Sequence, residues 1–459
     1  MKPILLIDFG STYTKVAAAD VENPQLLGTA NAYTTVETDI DEGLSNALRE
    51  LEKQTGKLEF AERYACSSAA GGLRLIASGL VPELTAKAAK HAALGAGAKV
   101  IKNYSYYLTR EDVDEIDLLR PDIFLLTGGT DGGNSKCILS NAQAISKCQT
   151  DFPIIIAGNR SAADECAEIL SGREIYCCEN VLPTLGQLNI EPTGARIREV
   201  FLSRITHAKG LSKVAKLISS IVMPTPSAML AAMTLLADGA GDEPGIGELM
   251  GIDLGGATTD VYSIAMGMPQ NPNTVIKGLS EPRIKRTVEG DIGMRYSIRG
   301  VLDACGIESI AELANLDTQT VQTLAGRLIE VPGSLPDTPA LQSLDFAVAS
   351  MAIKTAVARH SGTLEKVFTP LGEAFLQTGK DLRTVQKIVL TGGALIHATR
   401  TVEMASHIFY DAAEPFSLRP EKPATLVDNN YILSAMGLLG AAYPKEALML
   451  MKTNLKGAA

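Results

Sequence analysis

Short apolar, β-branched runs that end in glycine-rich turns alternate with alanine-rich stretches along this chain. The runs predict buried strands and the stretches predict helices, so the pattern favours an α/β fold with largely parallel strands. The predicted strands are Ile4–Asp8, Ile123–Thr127, Ile154–Ala157, Glu174–Cys178, Leu249–Leu254 and Lys387–Thr391. The predicted helices are Leu44–Gln54, Val81–Ala98 and a helix that begins at Pro224–Ser227 and runs to about Ala237.

One glycine-rich segment divides the chain almost in half. Gly239–Gly247 (GAGDEPGIG) contains four glycines, one proline and two acids in nine residues, a composition typical of a linker. We therefore expect an N-terminal lobe at 1–245 and a C-terminal lobe at 246–459. Within the first lobe, the strands beginning at Ile123, Ile154 and Glu174 predict an inserted α/β subdomain at about 115–182.

Composition narrows the class of protein. Across 459 residues, 42 Lys and Arg against 52 Asp and Glu give a net charge of −10, which argues against a general nucleic-acid binder. The longest apolar run, Ala228–Ala237, falls short of a membrane span. The start of the chain does not resemble a secretory leader, and the seven cysteines contain no C-x-x-C pair. We expect a cytoplasmic protein without a membrane or nucleic-acid partner.

Nearly the same phrase opens both predicted lobes, IDFGSTYTK at Ile7–Lys15 and IDLGGATTD at Ile252–Asp260. In each, an apolar strand delivers an aspartate, then glycine and small hydroxyl residues, before a second strand. Glycine lets backbone amides approach phosphate oxygens, and an aspartate at a strand end can hold hydrated Mg²⁺. Either phrase alone also occurs as an ordinary hairpin, but two copies predict two phosphate-binding turns that could clamp a triphosphate from both sides.

A third glycine signal follows the strand at Lys387–Thr391. Adjacent Gly392 and Gly393 leave room for a base or a ribose against the backbone. Leu126–Gly133 contains a similar strand-Gly-Gly phrase, so the order along the chain decides between them. Two phosphate turns followed by a Gly-Gly resemble the actin/Hsp70/sugar-kinase superfamily of ATPases over the whole chain.

That resemblance implies a two-lobe actin-like ATPase with duplicated ribonuclease H-like domains, an inserted α/β subdomain, and ATP and Mg²⁺ as cofactors. Asp8 and Asp253 match the Mg²⁺-orienting carboxylates, and Asp260 matches the acid that closes the second phosphate motif. Lys15 takes the place of a lysine that reaches the γ-phosphate. The implied phosphate contacts are Gly10, Ser11, Thr12, Gly255, Gly256 and Thr258, the implied adenosine contacts are Gly392 and Gly393, and Glu289 with Gly290 lies beside the adenine. Pro224–Ala237 and Tyr431–Ala442 would be the helices that connect the lobes.

The shared motifs leave a kinase, a chaperone and a filament open. A sugar kinase needs a general base for its acceptor, and Asp260 suits that role as well as it suits positioning a hydrolytic water. Filament interfaces leave no simple motif.

Segments outside the shared motifs resemble the MutL/GlmL family nearly end to end. They are Cys66–Arg74, Gly79–Thr85, Arg120–Ile123, Thr127–Asn134, Ala157–Asn159, Met223–Pro226, Gly255–Ser263 and Val288–Asp291. The resemblance implies a weak Mg²⁺-dependent ATPase that is accessory to an adenosylcobalamin-dependent mutase, chiefly glutamate (methylaspartate) mutase or an amino-acid aminomutase. By relation to reactivating factors, it implies a chaperone-like release of damaged cobalamin. A small-molecule kinase or an actin-like filament is the alternative. We expect the turn at Gly128–Asn134 either to contact the mutase or to be only a tight structural loop.

Overall fold

A computed structural model of the chain describes residues 1–10, 13–33, 40–68, 73–208, 220–370 and 372–457. These residues form two compact units, the first made of Met1–Leu235 and Ile432–Leu450 and the second of Leu236–Tyr431 and Met451–Ala459. Ser11 and Thr12 lie outside the described residues, as do residues 69–72 of one family segment.

The strands, in chain order, are β1 (Pro3–Phe9), β2 (Tyr13–Asp20), β3 (Gln25–Tyr33), β4 (Glu62–Ser67), β5 (Arg74–Gly79), β6 (Lys99–Ser105), β7 (Ile123–Leu126), β8 (Ile154–Ile156), β9 (Ile175–Cys177), β10 (Ser220–Pro224), β11 (Gly239–Ala240), β12 (Glu243–Pro244), β13 (Leu249–Leu254), β14 (Thr259–Ile264), β15 (Thr274–Ile276), β16 (Ile284–Glu289), β17 (Thr363–Thr369), β18 (Gly372–Thr378), β19 (Lys387–Thr391), β20 (Ala424–Val427) and β21 (Lys456–Gly457).

The helices are α1 (Ile40–Thr55), α2 (Lys87–Gly95), α3 (Arg110–Leu119), α4 (Lys136–Ile145), α5 (Ala163–Ile169), α6 (Glu191–Ala208), α7 (Thr225–Asp238), α8 (Ile298–Cys305), α9 (Ile307–Ala314), α10 (Thr318–Glu330), α11 (Pro339–His360), α12 (Gly393–Ile396), α13 (Thr401–Ser406), α14 (Leu433–Gly440) and α15 (Pro444–Asn454). A π-helical turn at Pro82–Ala86 and a 3₁₀ turn at Arg160–Ala162 precede α2 and α5.

All six predicted strands are confirmed, as β1, β7, β8, β9, β13 and β19. The predicted helices at Leu44–Gln54 and near Thr225–Ala237 are confirmed within α1 and α7. The stretch Val81–Ala98 was predicted as one helix. It instead begins with the π-helical turn, which has a proline at its first position, and continues as α2, which ends at Gly95. The predicted α/β class is therefore confirmed.

The main sheet of the first unit has the order β10-β4-β1-β2-β3. β1, β2 and β3 form an antiparallel meander, whereas β4 runs parallel to β1 and β10 runs parallel to β4. Every residue of β1 is buried, since α14 packs against β1 and β4. Burial of this whole strand explains why the sequence shows it as an unbroken apolar run up to Asp8.

The main sheet of the second unit has the order β16-β14-β13-β19-β20-β21. Here β13, β14 and β16 form the antiparallel meander, and β19 and β20 run parallel to β13. With β21 set aside, the order and strand directions repeat those of the first unit, which is the duplicated arrangement that the actin-like fold implies. The buried helix α11 contacts β13, β14 and β16 and supplies much of the apolar core of this unit.

The inserted sheet is larger than predicted. Its order is β6-β5-β7-β8-β9 with all strands parallel, so it begins at Arg74 rather than near residue 115. The apolar pattern did not predict the two added strands. β5 is a short run that ends in Ser and Gly, and β6 (KVIKNYS) contains two lysines and an asparagine.

The C-terminal part of the chain does not stay with the second unit, although 246–459 was predicted as one lobe. Ile432–Leu450 belongs to the first unit, because the apolar helix α14 packs onto the first sheet. Gly437 permits this packing, since a Cβ there would lie 1.8 Å from the carbonyl oxygen of Ala228 in α7. The predicted linker Gly239–Gly247 contains the β11–β12 hairpin and lies within the second unit, which begins at Leu236.

Among the described residues, no helix is both long enough and apolar enough to cross a membrane.

Candidate functional site

The first predicted turn follows a buried carboxylate at the end of β1. Asp8 is 3% exposed and lies opposite Lys15 in the antiparallel pair of β1 and β2. Its Oδ1 accepts a hydrogen bond from Oγ1 of Thr225 at 2.6 Å, and its Oδ2 accepts one from Oγ of Ser434 at 2.9 Å. Two hydroxyl groups from different helices therefore hold both oxygens of the carboxylate.

The first turn is tight enough to require glycine. The amide of Gly10 donates to the carbonyl oxygen of Tyr13 at 3.1 Å, and a Cβ at Gly10 would lie 2.6 Å from that same oxygen. Lys15 is half-buried on the strand that returns from the turn. The other predicted contacts of this turn, Ser11 and Thr12, fall outside the described residues.

The second turn, between β13 and β14, closes in the same way. The amide of Gly255 donates to the carbonyl oxygen of Thr258 at 2.9 Å. The carbonyl oxygens of Gly255 and Gly256 accept hydrogen bonds at 2.8–3.0 Å from the amides of Met294–Tyr296. Hydrogen bonds from this segment to the carbonyl groups of the turn therefore stabilise the turn.

The same turn leaves its amide groups available. Within the described part of the chain, the backbone N–H groups of Gly256, Ala257 and Thr258 have no hydrogen-bond acceptor. They follow directly on the strand that ends with Asp253 and Leu254. Consecutive unpaired amides at a glycine-rich turn attract anions, and phosphate oxygens in particular. The second turn thus has the chemistry of a phosphate cradle.

Two carboxylates lie opposite each other beside this turn. Asp253 on β13 pairs with Asp260 on β14 in the antiparallel register, which places both side chains on one face of the sheet. Asp260 is 8% exposed, and its Oδ1 accepts a hydrogen bond from Nε of Arg286 at 2.8 Å and forms an ion pair with Nη2 at 2.7 Å. Asp253 is only half-buried. The arginine on β16 therefore offsets one of two neighbouring negative charges.

The predicted Gly-Gly motif reaches the same edge of the second sheet. Thr391 at the end of β19 lies beside Asp253 in the parallel pairing. Gly392 adopts a φ of 99°, and a Cβ there would lie 2.3 Å from the carbonyl oxygen of Leu254. At Gly393, by contrast, a Cβ would meet no described atom within 4 Å. The first glycine is needed for packing against β13, and the second borders open space.

The Glu289–Gly290 segment also lies at this edge, but its carboxylate already has a partner. Glu289 pairs with Thr259 in the β14–β16 register, and its Oε2 accepts a hydrogen bond from Nη1 of Arg359 at 2.6 Å. That hydrogen bond raises the pKa of the Arg359 guanidinium. Gly290 itself is exposed.

The described residues contain no group of three or more His, Cys, Asp and Glu side chains that could hold a metal ion alone. A Mg²⁺ ion bound to a nucleotide keeps several waters and needs only one or two protein carboxylates. Asp253, beside the amides of the second turn, fits such a partial role, whereas the same role for the buried Asp8 stays a prediction.

Comparison of the sequence with known proteins identifies its family. The family model described as MutL protein matches residues 4–455, and the Protein MutL of Clostridium tetanomorphum is 45% identical, with 99% of each chain covered. The chain belongs to the MutL protein family.

Solved structures similar to this MutL family member share little of its sequence. A nucleotide-free acetone carboxylase is 14% identical, with a TM-score of 0.41 over 95% of this chain and 69% of that chain. The activator of 2-hydroxyisocaproyl-CoA dehydratase from Clostridium difficile with bound ADPNP is 9% identical, with a TM-score of 0.35 over 100% and 99%. A glycerol dehydratase reactivase is 11% identical, with a TM-score of 0.35 over 96% and 99%.

Sequence reasoning missed the residues that support the aspartates. Thr225 is the first residue of α7 and Ser434 lies in α14, and no local pattern connects either with Asp8. Arg286 gave a weak signal, since an arginine inside the strand IKRTVE indicates a buried charge with a partner nearby.

The glycine turn at Gly128–Asn134 in the inserted sheet is held by asparagines. Nδ2 of Asn159 donates to the carbonyl oxygens of Gly133 and Asn134 at 3.2 and 3.3 Å, and Nδ2 of Asn180 donates to that of Gly129 at 3.0 Å. A tight structural loop accounts for these bonds, so a mutase-contact role for the turn stays a prediction.

Proposed function

We propose that this MutL family member binds Mg·ATP through its two glycine turns, hydrolyses it slowly, and serves as a chaperone-like reactivating factor for an adenosylcobalamin-dependent mutase. The observation that carries the nucleotide part of the proposal is the second turn. Its three unpaired amides lie beside Asp253 and Asp260, which supply a cation-binding carboxylate and a proton-accepting carboxylate.

Each group has a distinct role in the proposed reaction. The amides of Gly256–Thr258 would bind phosphate oxygens, and Asp253 would hold a hydrated Mg²⁺ ion. Bound Mg²⁺ would neutralise charge that develops on the phosphates. Asp260 orients the attacking water, while Lys15 and Asp8 at the first turn add a cation for phosphate and a second carboxylate for the hydrated ion. Gly393 gives the adenosine access to the backbone.

The proposed link between hydrolysis and mutase repair is conformational. A nucleotide that favours one state of a protein biases its equilibrium, and hydrolysis removes that bias. Such a cycle would let the protein loosen an inactivated mutase so that damaged cobalamin leaves and intact cofactor enters. The candidate partner is glutamate (methylaspartate) mutase or an amino-acid aminomutase.

Two measurements test the proposal. The first is Mg·ATP binding and phosphate release by the purified chain, compared with Asp253→Ala, which should abolish Mg²⁺-dependent binding or lower turnover at least about 100-fold. Full ATPase activity in that variant would falsify the site assignment. The second is recovery of turnover by a mutase inactivated with its cofactor, with and without ATP.

Two further measurements separate the alternatives. A small-molecule kinase would consume ATP only with a particular acceptor, and a filament-forming protein would sediment in a nucleotide-dependent way.

Deleting the inserted sheet from Arg74 to Leu182 and measuring capture of the mutase tests the predicted mutase contact, since undiminished capture contradicts it.

A further inference from the structure

Arg286 is a buried arginine beside the proposed site and has no role in the proposed reaction as such. It lies on β16, is 4% exposed, and directs both Nε and Nη2 to one oxygen, Oδ1 of Asp260. A guanidinium often engages both oxygens of a carboxylate with two parallel hydrogen bonds. Here both donors are directed to one oxygen, Oδ1.

The remaining oxygen of Asp260 points to the turn. Its contact among the described side chains is Oγ1 of Thr258, at 3.5 Å, a distance at the outer limit for a hydrogen bond. Thr258 is the last residue of the turn that carries the unpaired amides. The Arg286 contact therefore leaves one carboxylate oxygen held and the other facing the proposed phosphate cradle.

The charge arrangement gives Arg286 a second effect. Asp253 lies directly opposite Asp260, and like charges at such positions repel each other. The buried Arg286 cation on the third strand of the meander offsets the charge of Asp260 and so reduces this repulsion. Without it, Asp260 could rotate or shift to reduce the repulsion.

We propose that Arg286 is a positioning residue that holds Oδ1 of Asp260 so that Oδ2 orients the attacking water at the Gly255–Thr258 turn. This inference rests on the proposed ATP hydrolysis. In this role Arg286 touches neither nucleotide nor water and acts through Asp260.

The test compares Arg286→Lys with a matched substitution elsewhere in the second unit. Lysine keeps the charge but cannot reproduce the two-donor geometry. Arg286→Lys should lower kcat about 10- to 100-fold, a typical effect of losing a residue that orients a functional group, while KM for Mg·ATP stays within about twofold. The control is Arg383→Lys, because Arg383 binds buried Asp381 through Nε at 3.0 Å and Nη2 at 2.6 Å. The control should leave kcat and KM unchanged.

A double-mutant cycle keeps the test independent of folding losses. If Arg286 acts through Asp260, adding Arg286→Lys to Asp260→Asn should lower kcat no further. An unchanged kcat in Arg286→Lys, or additive losses in the double variant, overturns the role of Arg286 alone. A wild-type chain that does not hydrolyse Mg·ATP overturns the proposed function as well, so the two failures are distinguishable.

Discussion

The two glycine turns have the same backbone design and opposite charge at one position. In both, the amide of the glycine two residues after the aspartate donates to the carbonyl oxygen three residues further on, at 3.1 Å in the first turn and 2.9 Å in the second. In both, the residue seven positions after the aspartate lies directly opposite it. That residue is Lys15 opposite Asp8 in the first unit and Asp260 opposite Asp253 in the second.

This difference indicates that the duplicated turns have specialised. A lysine beside a carboxylate suits binding, because a flexible cation reaches phosphate oxygens as a point charge. A second carboxylate repels phosphate but can accept a hydrogen bond from water. We therefore expect the first turn to contribute chiefly to nucleotide affinity and the second chiefly to the rate of hydrolysis.

The support of the two strand-end aspartates differs as well. Asp8 is buried and held by Thr225 and Ser434. Asp253 is half-buried, and its neighbour Thr391 donates from Oγ1 to Oδ2 of the buried Asp428 at 3.2 Å. Hydroxyl groups from two helices thus hold the first aspartate, whereas the threonine beside the second is bound to another carboxylate.

The largest expected effect comes from removing the charge of the residue seven positions after each aspartate. Asp260→Asn should lower kcat about 100- to 1000-fold with little change in KM, because the amide cannot accept a proton from water. Lys15→Met should instead raise KM about tenfold and leave kcat nearly unchanged, because it removes a binding charge. Steady-state ATPase kinetics measure both, and the same kcat-to-KM split in the two variants would contradict the specialisation.

The contrast also shows what the sequence can and cannot predict. Apolar runs and glycine spacing located β1, β13, β19 and both turns, because those signals are local. The partners of Asp8 lie 217 and 426 residues away, and their positions depend on α14 returning to the first unit. No local pattern encodes that return, nor the choice of Arg286 as the partner of Asp260.

Removing the hydrogen bond that Ser434 donates to Asp8 should have an intermediate effect, which is on stability. Ser434→Ala removes a hydroxyl that donates to a buried carboxylate, so the free energy of unfolding should fall by about 2 kcal/mol. The matched control is Ser350→Ala in α11, since Ser350 is also buried in a helix but its Oγ has no hydrogen-bond partner among the described residues. Urea denaturation of both variants measures the difference, and equal losses would mean that the hydroxyl of Ser434 does not support Asp8.

The smallest effect per pH unit comes from two charged side chains with shifted pKa values, one in each unit. In the second unit, Nζ of Lys380 donates to Oγ of Ser263 at 3.1 Å and to the carbonyl oxygen of Arg283 at 2.7 Å. Burial, followed by the nearby Lys285 cation, lowers the pKa of Lys380 to about 7 from its ordinary 10.5. In the first unit, hydrogen bonds from Lys2 and Tyr443 lower the pKa of Glu62 to about 2.

These shifts act on stability in different pH ranges. Between pH 7 and 10.5 the unfolded chain binds a proton that folded Lys380 does not, so stability should rise by about 1 kcal/mol per pH unit. Lys380→Met should remove this rise. Glu62 stabilises above its unfolded pKa, and that contribution falls as pH drops toward 2, but its partial exposure makes the contribution small. Denaturation of Lys380→Met and Glu62→Gln from pH 3 to 9 measures both slopes. A slope above pH 7 that survives Lys380→Met would show that Lys380 does not cause it.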